Sequence, residues 1–145
     1  MKTYYKSNCF AFLEYKTTHI FPLPSRLRTF AEANQECIDR GGHLAFVRDS
    51  EEMGLVDGVS ETNPWVGLYY SQSEAGYKLT NGEDSTFDPA DVSSMFQYLD
   101  EVEKAQDHCF VLLNGRNVLR AKKCEGKMKG AVCQIKSESL MSFSF

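Results

Sequence analysis

The chain has 145 residues, of which 42% are hydrophobic and 25% charged, with a formal net charge of -4. These values fit one globular domain and exclude a disordered chain. The acidic balance argues against nucleic acid as a partner, and no apolar run approaches the roughly 18 residues of a membrane span, so no membrane contact by the domain itself is expected.

Met1-Lys2-Thr3-Tyr4-Tyr5-Lys6 lacks the apolar stretch of a signal peptide. Either the protein is cytosolic, or a mature domain begins with a new Met1. Five cysteines, with Cys37, Cys109, Cys124 and Cys133 at loop-closing spacings, favour an oxidising extracellular setting.

In chain order, Cys9 to Tyr15 reads as an aromatic-rich strand. Pro22 and Pro24 mark a loop, with His19 placed in it. Thr29 and Glu32 form a capping box, since each side chain can satisfy the other's backbone donor. The helix that follows puts Phe30, Ala33 and Cys37 on one face and stops at Gly41-Gly42. His43 to Val47 reads as a short strand. Asp49 then caps a second helix with Met53, Val56 and Val59 as its apolar face. Gly54 and Gly58 weaken that helix by roughly 1 kcal/mol each, so packing must hold it.

Beyond this the period turns strand-like. Trp65 to Tyr70 and Tyr77 to Thr80 are expected strands, the second ending at the turn Asn81-Gly82. Residues 83–108 show no clear strand. Within them Val92, Met95, Phe96 and Leu99 recur at helical spacing, either as a short helix packed on the core or as an exposed patch anchored by Phe96 and Tyr98. Cys109 to Leu113, the turn Asn114-Gly115, and a return through Val118 and Leu119 to Cys124 read as a hairpin. Ala131 to Ile135 closes the sheet. Two helices followed by short antiparallel strands give an α+β fold, with the domain over residues 1–136 and a C-terminal tail over 137–145.

Catalytic patterns are lacking. His108 and Cys109 are adjacent on a strand and point to opposite faces, so they do not form a nucleophile pair. His108, Cys109, Cys124 and Cys133 lack the short spacing of a zinc site. No nucleophile-elbow, phosphate-loop or zinc-protease motif occurs. The chain reads as a non-enzyme without cofactor or metal.

The ordered set of Phe30 to Cys37, Gly41-Gly42-His43-Leu44-Ala45, Glu52, Trp65-Val66-Gly67-Leu68, Tyr77 to Gly82 and the closing Ala131-Val132-Cys133 resembles the C-type lectin-like domain over about residues 5 to 136. Four cysteines alone allow three connectivities, and spacing does not choose among them. The resemblance implies the pairs Cys37–Cys133 and Cys109–Cys124.

Sugar-binding members of that family act through calcium, which needs several hard oxygen ligands. Here Leu119-Arg120-Ala121 stands where such members carry Trp-Asn-Asp. The other motif has only an echo in Asp88-Pro89-Ala90, and a carboxylate remains at Asp107. Calcium-dependent sugar binding is therefore not expected, and Asp88 and Asp107 read as loop-solvating or turn-capping residues. Charge is segregated instead. Eight acidic residues (Glu83, Asp84, Asp88, Asp91, Asp100, Glu101, Glu103, Asp107) face one base, Lys104; six basic residues (Arg116, Arg120, Lys122, Lys123, Lys127, Lys129) face one acid, Glu125. Such a pattern either steers a charged partner or folds an acidic loop over a basic hairpin.

The resulting expectation is a calcium-independent extracellular recognition domain, secreted or on a receptor. It would bind a protein ligand through the long loop region 81–108 and its neighbouring strands, with Phe96, Tyr98, Asp100, Glu101, Arg116 and Arg120 as ligand-binding residues. One alternative is binding of a glycan or glycosaminoglycan by the basic 116–129 hairpin. Another is a structural or assembly module of a larger receptor or secreted complex. Cys9 has no partner upstream, which leaves a buried free thiol, a half-bridge, or an inter-chain link that would make a homo- or hetero-dimer.

Overall fold

A computed structural model of the chain describes residues 18–85, 96–97, 103, 105–116 and 118–136. The expected strand at Cys9–Tyr15, the thiol of Cys9 and the tail lie outside these residues.

The described elements run β1 (Thr18–Pro22), α1 (Phe30–Asp39), β2 (Gly42–Leu44), α2 (Ser50–Val59), β3 (Pro64–Ser71), β4 (Gly76–Leu79), β5 (Phe96–Gln97), β6 (His108–Leu113), β7 (Val118–Lys122) and β8 (Gly130–Lys136). The strands lie in the order β1-β8-β3-β6-β7-β5, with β2 added to β8 and β4 to β3. The fold is α+β, as expected.

Both helix starts follow their sequence signals. Thr29 Oγ1 accepts from Glu32 N at 3.2 Å while Thr29 N donates to Glu32 Oε1 at 2.9 Å, a complete capping box. Asp49 Oδ1 accepts from Glu52 N at 2.8 Å. Helix α1 buries Ala33 and Cys37, and α2 buries Met53 and Val56. Gly41 ends the first helix region at φ 95°, a left-handed conformation that costs glycine little.

Four expectations need correction. The strands are not all antiparallel: β3 meets β8 in parallel through Pro64↔Gly130 and Trp65↔Ala131, and β5 meets β7 in parallel. The first contact is close because Gly130 has no Cβ; one built there would lie 2.3 Å from Thr62 Oγ1. His19 belongs to β1 rather than a loop, paired with Ile135. Pro22 is tolerated in that strand because β1 is an edge among the described strands, where a missing N–H breaks no inner ladder. Val59 is 36% exposed, not core. Steps of three residues drift about 60° around a helix, so Val59 has rotated away from the face of Met53. Phe96 is in a strand, not a helix, because its backbone pairs with the open edge of β7; Val92, Met95 and Leu99 lie outside the described residues.

Apolar side chains fill both faces of the sheet. One cluster joins α2 to Val66, Leu68, Phe110, Leu112 and Leu119; the other joins α1 to Trp65, Val111, Leu113 and Cys133. The disulfides are Cys37–Cys133, across 96 residues of sequence, and Cys109–Cys124, across 15. The pairing is the one the family resemblance implied. Closing loops of these sizes removes roughly 3 to 5 kcal/mol of freedom from the unfolded chain, more for the longer.

A buried polar knot ties the approach to α1 into the core. Arg28 is 2% exposed. Its guanidinium pairs with Glu36 and donates to Pro24 O at 2.8 Å. The Arg28 carbonyl accepts from Trp65 Nε1 at 2.8 Å. The Arg28 guanidinium also holds the Glu36 carboxyl below its usual range. Replacing Glu36 by Leu strands a buried guanidinium, and should cost about 2 kcal/mol in urea unfolding. That is less than the roughly 3 to 5 of a fully buried pair, because Glu36 remains 24% exposed. Gly67→Ala should cost more, about 3 kcal/mol, since its Cβ would lie 2.4 Å from Leu44 O in a fully packed interior. A wild-type unfolding midpoint for either variant would refute the corresponding reading.

Candidate functional site

Two of the expected ligand residues, Phe96 and Arg120, are placed by strand register, and a third, Arg116, by a turn. Phe96 pairs with Leu119, and Gln97 pairs with Arg120, so β5 lays the long loop against β7. Arg120 also pairs with Val111 on the other side of its strand. Arg116 is exposed on the turn between β6 and β7. That turn is held rigidly: Gly115 N donates to Asp57 Oδ1 at 2.6 Å and Asn114 N to Asn63 Oδ1 at 2.8 Å. Tyr98, Asp100 and Glu101 lie outside the described residues, as do Asp88 and Asp91.

Strand β7 alternates. Leu119 and Ala121 are fully buried, whereas Arg120 and Lys122 are half-buried. The two positions where calcium-binding members of the resembled family carry the oxygen ligands Asn and Asp thus hold a cation, Arg120, and a core apolar side chain, Ala121. Such a set cannot coordinate calcium. The zinc site already set aside on spacing is also ruled out by chemistry, because Cys109, Cys124 and Cys133 are all in disulfides and have no thiolate to give.

Two of the described carboxylates of the long loop, Asp84 and Asp107, do local work. Asp84 pairs with Lys78, which Glu74 also contacts at 2.6 Å, and these two carboxylates push the Lys78 pKa up. Asp84 is therefore engaged at β4 and not at the basic hairpin. Asp107 Oδ1 accepts from Gln72 N at 2.6 Å, the expected turn-capping role. On the hairpin side, Arg116, Lys123, Lys127 and Lys129 are exposed, and no salt bridge among the described residues engages them.

His108 and Cys109 do face opposite sides of β6. Cys109 is bonded to Cys124, while His108 is fully buried among Tyr70, Tyr77 and Phe110. Its ring stacks on Tyr70 at 5.1 Å and its Nδ1 donates to Gln106 O at 2.8 Å. Burial pushes its pKa down, partly opposed by the Gln106 and Glu103 carbonyls and by Asp107.

One feature had no signal in the sequence. A cleft of about 400 Å³ lies between the start of α1, the end of β3 and the Cys109–Cys124 bridge. Its lining comes from segments near residues 30, 70, 107 and 125, so no local motif could announce it.

Comparison with known proteins follows this geometry. A family model described as the lectin C-type domain matches residues 26–135. No curated protein sequence matches the chain. Among solved structures, the mouse scavenger receptor C-type lectin carbohydrate-recognition domain superposes with a TM-score of 0.58 at 20% identity, covering 81% of this chain and 90% of that one. The cow C-type carbohydrate-recognition domain of CD23, solved in the presence of an oligosaccharide, gives 0.60 at 15% identity, with 82% and 88% covered. A calcium-independent type II antifreeze protein gives 0.63 at 15% identity, with 82% and 86% covered. At these identities the structures speak to the fold.

The depressed pKa of His108 generates a pH prediction. The neutral ring is favoured in the folded state, so the unfolded chain takes up the proton first. Stability is then full above the unfolded value of about 6.5 and falls as pH drops below it. Unfolding midpoints should decline between about pH 7.5 and 5.5, above the range where Glu36 begins to contribute. His108→Phe should flatten that decline. An unchanged slope in His108→Phe would rule the assignment out.

Proposed function

The chain belongs to the C-type lectin domain family, and from that premise we propose that it is a calcium-independent, non-catalytic recognition domain. It binds a protein ligand through the long loop region 81–108 and the strands beside it. Domains of this family are recognition modules, usually extracellular or parts of ectodomains. No helix among the described residues is long and apolar enough to cross a membrane.

The observation that supports the reading is the makeup of β7. Leu119 and Ala121 are locked in the core and Arg120 is cationic, so the strand has no oxygen set for calcium. The pairing of Phe96 and Gln97 with this strand brings the long loop to the same edge. Phe96 and Tyr98 are the proposed anchors, because aromatic side chains dominate binding energy at protein interfaces. Asp100, Glu101, Arg116 and Arg120 are the proposed polar contacts around them.

A second reading is favoured by the bases that no salt bridge among the described residues engages. Arg116, Lys123, Lys127 and Lys129 could hold the sulfates of a glycosaminoglycan, an interaction that weakens steeply with salt.

Two measurements separate these readings. Addition of EDTA should move the melting temperature by less than about 1 °C, since no bound calcium is there to be withdrawn; a drop of many degrees would contradict calcium independence. Capture of partner protein from extracellular material should fall about tenfold or more in a Phe96→Ala, Tyr98→Ala variant. Unchanged capture sinks the loop anchors, and retention on heparin that disappears with rising salt favours the basic hairpin.

A further inference from the structure

The cleft beside the Cys109–Cys124 bridge is unused by the loop-surface reading. Two of its walls are the rings of Phe30 and Tyr69, which meet edge-on at 6.0 Å. Phe30 in turn packs edge-on against the buried ring of Trp65 at 5.6 Å. Both rings are thus held from behind by the core and present a preformed aromatic surface.

Asp107 and Glu125 also line the cleft, while no lysine or arginine among the described residues does. Asp107 uses one carboxylate oxygen to cap Gln72 N, which fixes the side chain. Its other oxygen has no hydrogen-bond partner among the described residues. Glu125 is exposed and takes part in no salt bridge among the described residues. The start of α1 adds a partial positive charge of about half a unit. That end is largely satisfied already: Glu32 N and Thr29 N are tied in the capping box, and Phe30 N donates to Cys124 O at 3.3 Å. Glu32 adds a further carboxylate in the first turn. The carboxylates therefore decide the sign of the site.

We propose that this cleft receives an arginine side chain of an extended peptide segment in a protein partner. A guanidinium is flat enough to lie on the Phe30 and Tyr69 rings, and its fork of N–H donors suits the carboxylates at the rim. A volume of about 400 Å³ exceeds one side chain and leaves room for flanking backbone. The inference rests on the chain being a protein-binding domain, but not on Phe96 or Tyr98 as anchors. A failed loop variant and a failed cleft test are therefore separate results.

The test titrates the intact chain, labelled with ¹⁵N, with acetyl-arginine amide and with acetyl-citrulline amide, a neutral probe of nearly the same shape. The arginine probe should shift the amide signals of Phe30, Tyr69, Ser71 and Asp107 and saturate at about millimolar concentration. The citrulline probe should bind at least about fivefold more weakly, having lost the charge. Asp107→Asn combined with Glu125→Gln should weaken the arginine probe about tenfold. The asparagine keeps an oxygen for Gln72 N, so the fold is retained, and an unaltered spectrum away from the cleft checks this. Equal binding of the two probes, shifts confined to other residues, or full affinity in the carboxylate variant would overturn the proposal.

Discussion

The bridge between Cys37 and Cys133 joins the buried face of α1 to β8, the strand with which β1, β2 and β3 all pair. With β8 held in this way, one end of the sheet has fixed neighbours on both sides, and α1 has a fixed height over its face. Leu44 and Phe21 both lie opposite Cys133 in register, so two strands meet the bridge directly. A link across 96 residues of sequence restrains the whole chain between its ends, including the long loop. The long loop can therefore vary in sequence and charge without the frame being renegotiated.

Around this bridge the core tolerates few substitutions at specific points. Gly42 and Gly67 sit where a Cβ would meet backbone at 2.0 and 2.4 Å. Both contacts lie on the path by which β2 crosses between β8 and β3. The Arg28 knot serves the same region from the other side, connecting the segment before α1 to the Trp65 indole and to Glu36. Hydrogen bonds of this kind contribute modestly when formed and are costly to leave unmade in a dry interior. The result is a rigid base from which the β6–β7 hairpin and the β5 contact extend.

The two proposed recognition surfaces would use that rigidity differently. At the β5–β7 edge, a two-residue strand pairs Phe96 with Leu119 and Gln97 with Arg120. At the aromatic cleft, the second disulfide, the capped start of α1 and the Asp107 turn are all fixed before any ligand arrives. Preorganised sites lose less conformational freedom on binding, so fewer contacts suffice.

Much of the frame was legible in the residues themselves. Thr29 with Glu32 and Asp49 with Glu52 announce helix starts because capping depends on neighbours three residues apart. Asn114-Gly115 announces a hairpin because the turn demands a left-handed residue, and Gly115 supplies it at φ 78°. The inward cysteine of α1 follows from helical period alone. His19 and Phe96 depart from expectation for a shared reason, since their state depends on partners distant in sequence, whereas Val59 departs because steps of three residues drift around the helix. Pro22 joins a strand because β8 accepts it at an edge, and Phe96 extends because β7 offers an open ladder. The parallel contacts and the Phe30–Tyr69 cleft were likewise invisible, as they are made from segments dozens of residues apart. Sequence by itself determined the helix starts and the hairpin turn, because capping and turn chemistry depend on short spacing, while the cysteine pairing came through the family resemblance. Tertiary structure alone decided strand neighbours, the buried Arg28–Glu36 pair and the placing of aromatic and acidic groups around one cleft, because long-range packing brings those residues together.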